Sequence, residues 1–368
     1  MRAEYDCYAI TAPRIEPATA RELAALGLEA AAVEPGGVAF SAGAAGLYAA
    51  NLELRTASRV LVRVGSFHAS AFHELERRAR RLPWDRFLAP GATPDFRVTA
   101  RKSKLYHQDA IAERLGEAAG RGRERAGEGP GQLFVVRFFR DECTVSADSS
   151  GELLHRRGYR LDMGTAPLRE TLAAAMLLES GWDGQSPLAD PFCGSGTIPI
   201  EAALIARRIA PGLARGFAFE HWPELDMRAW DRLRAAARAR VLDRARASIL
   251  GADRDGNALA AAGGNAERAG VAKDLELRRA TMSAFEPPGP SGHIVTNPPY
   301  GVRLGERAKL RGLYARFGQI VRTRCPGWQV TMLSPQRQLE HATGLPFESR
   351  LLTTNGGLRV RLVSTAGT

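Results

Sequence analysis

Lysine is almost missing from this 368-residue chain: four residues, at 102, 104, 273 and 309, stand against 47 arginines. With so much alanine and glycine alongside, the skew has the look of a genome-wide composition bias. The formal charge of +11 therefore does not by itself imply a nucleic-acid partner, and where the charges fall matters more. Cysteine is equally sparse. Cys7, Cys143, Cys193 and Cys325 lie far apart with no CxxC pair, which argues against a disulfide framework and against a zinc site. No apolar run approaches a membrane span, and Met1-Arg2-Ala3-Glu4-Tyr5-Asp6 carries acids where a signal peptide is apolar. A soluble, cytoplasmic protein of two or three domains is expected, with an ordinary hydrophobic fraction of 45%.

What is present centres on two short motifs. The first, Asp190-Pro191-Phe192-Cys193-Gly194-Ser195-Gly196-Thr197, reads as a strand running into a glycine turn and then a helix. Such glycines let backbone approach a ligand, and the helix start offers unpaired N–H groups. The second, Asn297-Pro298-Pro299-Tyr300, ends a later strand. The Asn297 amide oxygen and the Pro298 carbonyl can both accept hydrogen bonds, and the prolines hold them rigidly. Two acceptors and a flat aromatic suit a planar ring bearing an exocyclic NH₂. In this order the two motifs resemble the class I S-adenosylmethionine-dependent methyltransferases that modify exocyclic amines of bases. A P-loop or dinucleotide site fits less well, because the turn lacks the P-loop lysine and the third glycine of the Rossmann fingerprint.

Around the motifs the chain divides into three. Residues 1–65 alternate strands and amphipathic helices in a β-α-β-α-β run, which predicts a small ferredoxin-like α/β unit. Residues 66–160 contain a basic helix at 71–82, a strand at 96–100 and a helix from 108. A glycine- and charge-rich loop at 120–131 and two further strands follow. They end in Ser149-Ser150-Gly151-Glu152-Leu153-Leu154-His155-Arg156-Arg157-Gly158-Tyr159-Arg160. On that junction, residues 1–160 resemble the RNA-binding THUMP domain with the small unit that precedes it in related RNA methyltransferases. Residues 161–368 alternate strands and helices and finish in a hairpin about Asn355-Gly356-Gly357. The expected fold is α/β: a doubly wound, mostly parallel Rossmann-like methyltransferase sheet closed by an antiparallel hairpin. Residues 210–247 are an extra segment within it, containing Phe217-Ala218-Phe219-Glu220-His221-Trp222 and an arginine-laden helix over 227–246.

The resemblance assigns roles residue by residue. Asp190, Pro191, Gly194, Ser195, Gly196 and Thr197 form the cofactor turn, where the backbone cradles the amino-acid half of S-adenosylmethionine and Asp190 helps position its ammonium. Asp253, ending the second strand, binds the ribose hydroxyls, with Asp255 as runner-up and a helix cap as the plainer reading. Relatives often carry an acid after the third strand; here Thr281 stands there, whose hydroxyl can still accept a hydrogen bond from the adenine, with the Met282 amide as the other available contact. Ala166-Pro167-Leu168-Arg169-Glu170 lines the pocket in relatives, with Leu168 near the methionine end, although a plain helix start at Pro167 explains it too. Glu201 either reaches the cofactor or pairs with a basic residue, and Cys193 reads as a packing residue.

For the chemistry, Asn297 and Pro298 accept the two amine N–H bonds, Pro299 stiffens the turn and Tyr300 stacks on a flipped or single-stranded base. The extension Gly301-Val302-Arg303-Leu304 resembles RNA guanine methylases more than DNA adenine enzymes. Arg101, Lys102, Lys104 and His107, with Tyr106 among them, suit contact with RNA phosphates and an unpaired base, and Arg157 and Arg160 are placed to hold the strand between domains. Taken over its length, the chain resembles the bacterial THUMP-containing ribosomal RNA guanine-N2 methyltransferases, which act on the large-subunit RNA. A tRNA guanine-N2 methyltransferase, a DNA adenine-N6 methylase and a non-catalytic RNA-binding protein are the alternatives.

Overall fold

A computed structural model describes residues 4–120, 131–161, 168–300 and 307–366. The N-terminal half runs β1 (Tyr5–Thr11), α1 (Glu16–Ala25), β2 (Ala30–Glu34), β3 (Gly37–Ala42), α2 (Ala44–Glu53), β4 (Ala57–His68). It continues with α3 (Phe72–Ala79), β5 (Pro94–Arg101), α4 (Gln108–Gly120), β6 (Gln132–Phe139) and β7 (Glu142–Asp148). These strands form one seven-stranded sheet in the order β2-β3-β1-β4-β7-β6-β5. Neighbours are antiparallel except β5 and β6, which α4 joins in parallel. The sequence alternation decides the faces: along β6, Phe134, Val136 and Phe138 enter the core while Arg137 and Phe139 stay exposed.

The expected boundary at residue 65/66 falls inside β4. That strand pairs with β1 on one edge and with β7 on the other, so the ferredoxin-like and following units share a sheet and a core. β2 is an added strand in the first unit. Its Ala-rich, mostly exposed sequence lacks the β-branched content that signals a strand.

The second half runs α5 (Glu170–Glu179), β8 (Leu188–Asp190), α6 (Thr197–Ala206), α7 (Met227–Ala239), β9 (Ile249–Asp253), α8 (Gly256–Arg268), β10 (Leu275–Arg279). There follow β11 (Ser291–Thr296), α9 (Arg307–Arg324), β12 (Gly327–Ser334), α10 (Arg337–Thr343), β13 (Phe347–Asn355) and β14 (Leu358–Thr365). Its sheet order is β10-β9-β8-β11-β12-β14-β13, parallel through β12 and antiparallel at the terminal hairpin. Alternate residues feed two cores. Leu188, Val295 and Leu362 pack towards α5 and α6, whereas Ala189, Ile294 and Val363 pack towards α9 and α10. Helices therefore cover both faces, as the expected doubly wound fold requires.

The two halves exchange parts. Most of residues 210–247, from Ala210 to Ala237, leave the catalytic sheet and enter the N-terminal core, where Trp230 of α7 meets Tyr48, Phe217 and Phe219 at centroid distances of 5.9, 5.7 and 5.1 Å. Trp222 packs edge-on to Phe87 at 4.9 Å and donates its indole N–H to Gln132 Oε1 at 2.7 Å. In return, Ile15 and Ala18 at the start of α1 are buried with α5 and α6. α7 ends at Ala239, earlier than the expected 246.

Candidate functional site

β8 and β11 lie side by side in parallel, with Leu188 opposite His293 and Ala189 opposite Ile294. Their carboxyl ends bring the two motifs together at the switch point of the sheet, the place where open α/β folds bind ligands. One hydrogen bond joins them: Thr296 Oγ1 donates to Asp190 Oδ1 at 2.5 Å, and the Phe192 N–H donates to the same oxygen at 3.1 Å. Asp190 is buried, and burial, aided by the nearby Asp253 charge, pushes its carboxyl up to about 7. Thr296, itself fully buried, thus sets the end of β11 against the glycine turn immediately before Asn297.

The turn is held from two sides. Asp253, at the end of β9, accepts the Gly194 N–H on Oδ2 at 3.0 Å and the Asp255 N–H on Oδ1 at 2.9 Å. Asp255 caps α8 through the Asn257 N–H at 2.9 Å. Buried Asn265 of α8 donates to the Ser195 carbonyl at 3.1 Å. Gly194 and Gly196 have φ of +52° and +85°, but for different surroundings. A Cβ on Gly196 would come within 2.9 Å of Ala262, so this glycine lets the turn sit on α8; the same position on Gly194 faces open space. Pro191 and Thr197 are buried, and burial raises the Cys193 thiol well above its usual range, consistent with a packing residue.

Beyond β11, Pro298 is buried, Pro299 exposed, and Asn297 and Tyr300 half-buried. The Tyr300 hydroxyl donates to Asn297 Oδ1, while Asn355 of the terminal hairpin donates to that hydroxyl at 3.5 Å. Burial raises the Tyr300 phenol to about 12, so it remains a donor at neutral pH. Tyr314 donates to the Pro299 carbonyl at 3.4 Å and braces the turn from α9. Thr281 is exposed after β10, and the Met282 side chain enters the core, which leaves its backbone for any contact. The extension at 301–304 and Ala166 and Pro167 lie outside the described residues.

Two expected RNA contacts are corrected. Arg157 is buried: its guanidinium donates to the Leu154 and Arg55 carbonyls at 2.7 and 2.6 Å and pairs with Glu201 at 3.5 Å. Arg160 donates to the Leu168 carbonyl and Thr197 Oγ1, both at 2.7 Å, and pairs with Glu170 at 3.0 Å. Both bind the linker to the catalytic domain, and Arg160 braces the first residue of the helix that follows the glycine turn. Glu201, left open between cofactor and ion pair, meets Arg157 and the Tyr159 hydroxyl, the latter at 3.2 Å. Leu168 is buried, with its carbonyl serving Arg160. Arg101, Lys102, Lys104 and His107 are exposed beside Tyr106. Asn265 escaped the sequence reading, although an asparagine inside a helix beside Gly263-Gly264 was a signal.

Comparison with known proteins shows the family and the fold. A model of the RMKL-like methyltransferase domain matches residues 157–358, and one of the RlmL ferredoxin-like domain matches residues 6–61. The chain is 34% identical over 97% of its length to slr0064 of Synechocystis, a provisionally named RNA methyltransferase of which it covers 95%. It is 37% identical over 96% of its length to the ribosomal RNA large subunit methyltransferase K/L of Syntrophotalea carbinolica, of which it covers 52%. The chain thus spans about half the length of that relative. Among solved structures, the methyltransferase SMU.472 complexed with SAH superposes with a TM-score of 0.92 at 31% identity, covering 100% of this chain and 99% of that one. These matches make the chain an enzyme that takes its methyl group from S-adenosylmethionine. The residues present fit that cofactor. The space over Gly194 is open to it, and the Asp253 carboxylate, with each oxygen accepting one backbone N–H, retains lone pairs for ribose hydroxyls.

Proposed function

We propose a specific reaction for this chain, which belongs to the RMKL-like methyltransferase family: methylation of the exocyclic 2-amino group of a guanine in large-subunit ribosomal RNA. The observation that carries the proposal is the hydrogen bond between Thr296 and Asp190, which fixes the Asn297-Pro298-Pro299-Tyr300 turn beside the glycine turn. S-adenosylmethionine, held by residues 190–197, Asp253 and the Thr281-Met282 backbone, supplies an electrophilic methyl. An aromatic amine is a poor nucleophile because its lone pair is delocalised into the ring. Asn297 Oδ1 and the Pro298 carbonyl accept its two N–H bonds and turn the lone pair out of the ring, and Tyr300 leaves Asn297 to stack on the base. The N–C bond forms as the methyl's bond to sulfur breaks, and the cationic amine then gives one proton to solvent; the gain is alignment and stabilisation of charge that develops on the amine, with no strong base needed.

The choice of ribosomal RNA is supported by the names of the K/L relatives, and the choice of guanine by the extension after Tyr300. On this reading the N-terminal part is a ferredoxin-like unit and a THUMP-like RNA-binding unit that meet within β4, and residues 161–368 are the catalytic domain, in the cytoplasm. Among the described residues no helix is long and apolar enough to cross a membrane. The test is transfer of labelled methyl from S-adenosylmethionine to naked large-subunit RNA, tRNA and DNA in parallel. Label in the large-subunit RNA is expected; label in tRNA or DNA alone would overturn the substrate assignment.

A further inference from the structure

Five non-glycine residues among those described have a left-handed backbone, and three of them meet at one end of the N-terminal sheet: Lys102, Arg140 and Asp141, with φ of 52°, 53° and 63°. Residues with a Cβ avoid this region, so the chain here is held by its neighbours. The Arg140 N–H donates to the Arg101 carbonyl at 3.3 Å, Lys104 N–H to Asp141 Oδ1 at 2.7 Å, and Asp141 N–H to Ser103 Oγ at 3.0 Å. The β6–β7 turn is thereby fixed to the end of β5.

Beside it the outer face of the sheet opens into a groove of about 320 Å³ lined by Arg137, Phe139, Arg140, Glu142 and Thr144. Phe139 is 39% exposed, the one phenylalanine among the exposed large hydrophobic residues of the described chain. The Arg140 and Arg137 guanidinium carbons stand 5.2 and 5.8 Å from its ring centroid. Across the strands Arg101, Phe139, Glu142 and His68 form one row. Thr99, Arg137, Thr144 and Ser66 form the next, with the Ser66 hydroxyl donating to Thr144 at 3.0 Å.

We propose that this groove binds one unpaired nucleotide of the RNA substrate, a site separate from the methyl-transfer centre; the inference rests on the reading that the chain acts on RNA. A base stacks on Phe139, which any base allows because each has a π-face. Arg101, Arg137 and Arg140 neutralise the flanking phosphates. Glu142 accepts an N–H from the base edge, and the Thr99 and Thr144 hydroxyls lie where a ribose 2′-OH can be met. The fixed turn keeps the Arg140 backbone beside Phe139, and its side chain moves from the ring to a flanking phosphate as the base stacks. Charge complementarity selects this occupant: Arg137 and Arg140 stand at the exposed aromatic and Arg101 is its cross-strand neighbour, with Glu142 the one carboxylate among the lining residues.

The test is fluorescence anisotropy of the full chain with a single-stranded oligoribonucleotide and a fully paired hairpin, across a salt series. Phe139→Ala should weaken the single strand by roughly 5- to 150-fold with little effect on the hairpin, whereas Phe139→Trp retains binding. Arg137→Gln/Arg140→Gln should make the slope of log K against log salt shallower by about 0.7 per lost phosphate contact. Circular dichroism and the calorimetric affinity for S-adenosylmethionine should match the parent for every variant. Equal loss of single strand and hairpin in Phe139→Ala, or wild-type affinity and slope in all variants, would overturn the groove while leaving the reaction intact. Absence of RNA binding by the parent protein would overturn both.

Discussion

Asp190→Asn offers a demanding test of the site, because the structure sets opposite expectations for stability and for cofactor binding. The carboxyl is raised from its ordinary 3.8 to about 7, chiefly by burial, while Thr296 and the Phe192 N–H favour its charged form. A carboxyl with a raised pKa in the fold gives full stability below its unfolded pKa and loses it as pH climbs through the folded one. Between pH 4 and 7 the native chain therefore loses up to about 4 kcal/mol at this residue, from 1.36 kcal/mol for each pKa unit. Asparagine keeps the shape and an oxygen that accepts both hydrogen bonds, and it has no charge to bury. Asp190→Asn should match the parent near pH 4 and be the more stable protein at pH 8, with the difference growing between. Glu170 is also raised to about 7, but it titrates in both proteins and drops out of the comparison. Urea unfolding at a series of pH values without cofactor reads this directly. A difference independent of pH, or a less stable variant at pH 8, would refute the reasoning. If Asp190 also holds the cofactor's ammonium, the stabilised variant should bind S-adenosylmethionine more weakly by calorimetry at pH 8.

Asp253→Ala removes the acceptor of the Gly194 N–H and the expected ribose contact, so calorimetry should show weakened cofactor binding in a protein that still folds. Trp230→Ala should cost about 3–5 kcal/mol, the usual penalty for a buried tryptophan. Hydrogen exchange should then rise in α2 of the N-terminal half, because the indole packs on Tyr48 there and not in the catalytic sheet. Arg157→Ala should destabilise by about 3–5 kcal/mol by stranding buried Glu201, with the salt dependence of RNA binding unchanged; a shallower slope would restore Arg157 to the RNA-contacting set.

Much of the catalytic half was legible because its signals are local. A strand, a glycine turn and a helix start within eight residues can be read without knowing what packs above them, and Asn355-Gly356-Gly357 announces the hairpin. Arginine was the main source of error. A guanidinium reads the same in sequence whether it faces solvent, like Arg101, or is sealed among carbonyls, like Arg157, and only tertiary burial separates the two. The same limit hid the role of residues 210–247. Their aromatics promise a core, yet nothing local says that it belongs to the other half of the molecule. Asn297 shows a further limit, since its spacing from Tyr300 did not reveal that the phenol donates to the very amide oxygen meant for substrate.

The central claim, that Asn297-Pro298-Pro299-Tyr300 methylates a guanine amine, is tested most directly by nucleoside mass spectrometry. Naked large-subunit RNA is reacted with the parent and with Asn297→Ala, then digested. The account predicts N2-methylguanosine from the parent and a loss of turnover of roughly 10²- to 10³-fold in Asn297→Ala, with cofactor affinity nearly intact, because the amide acts on charge that develops during transfer. N6-methyladenosine from the parent, or undiminished N2-methylguanosine from the variant, would contradict it.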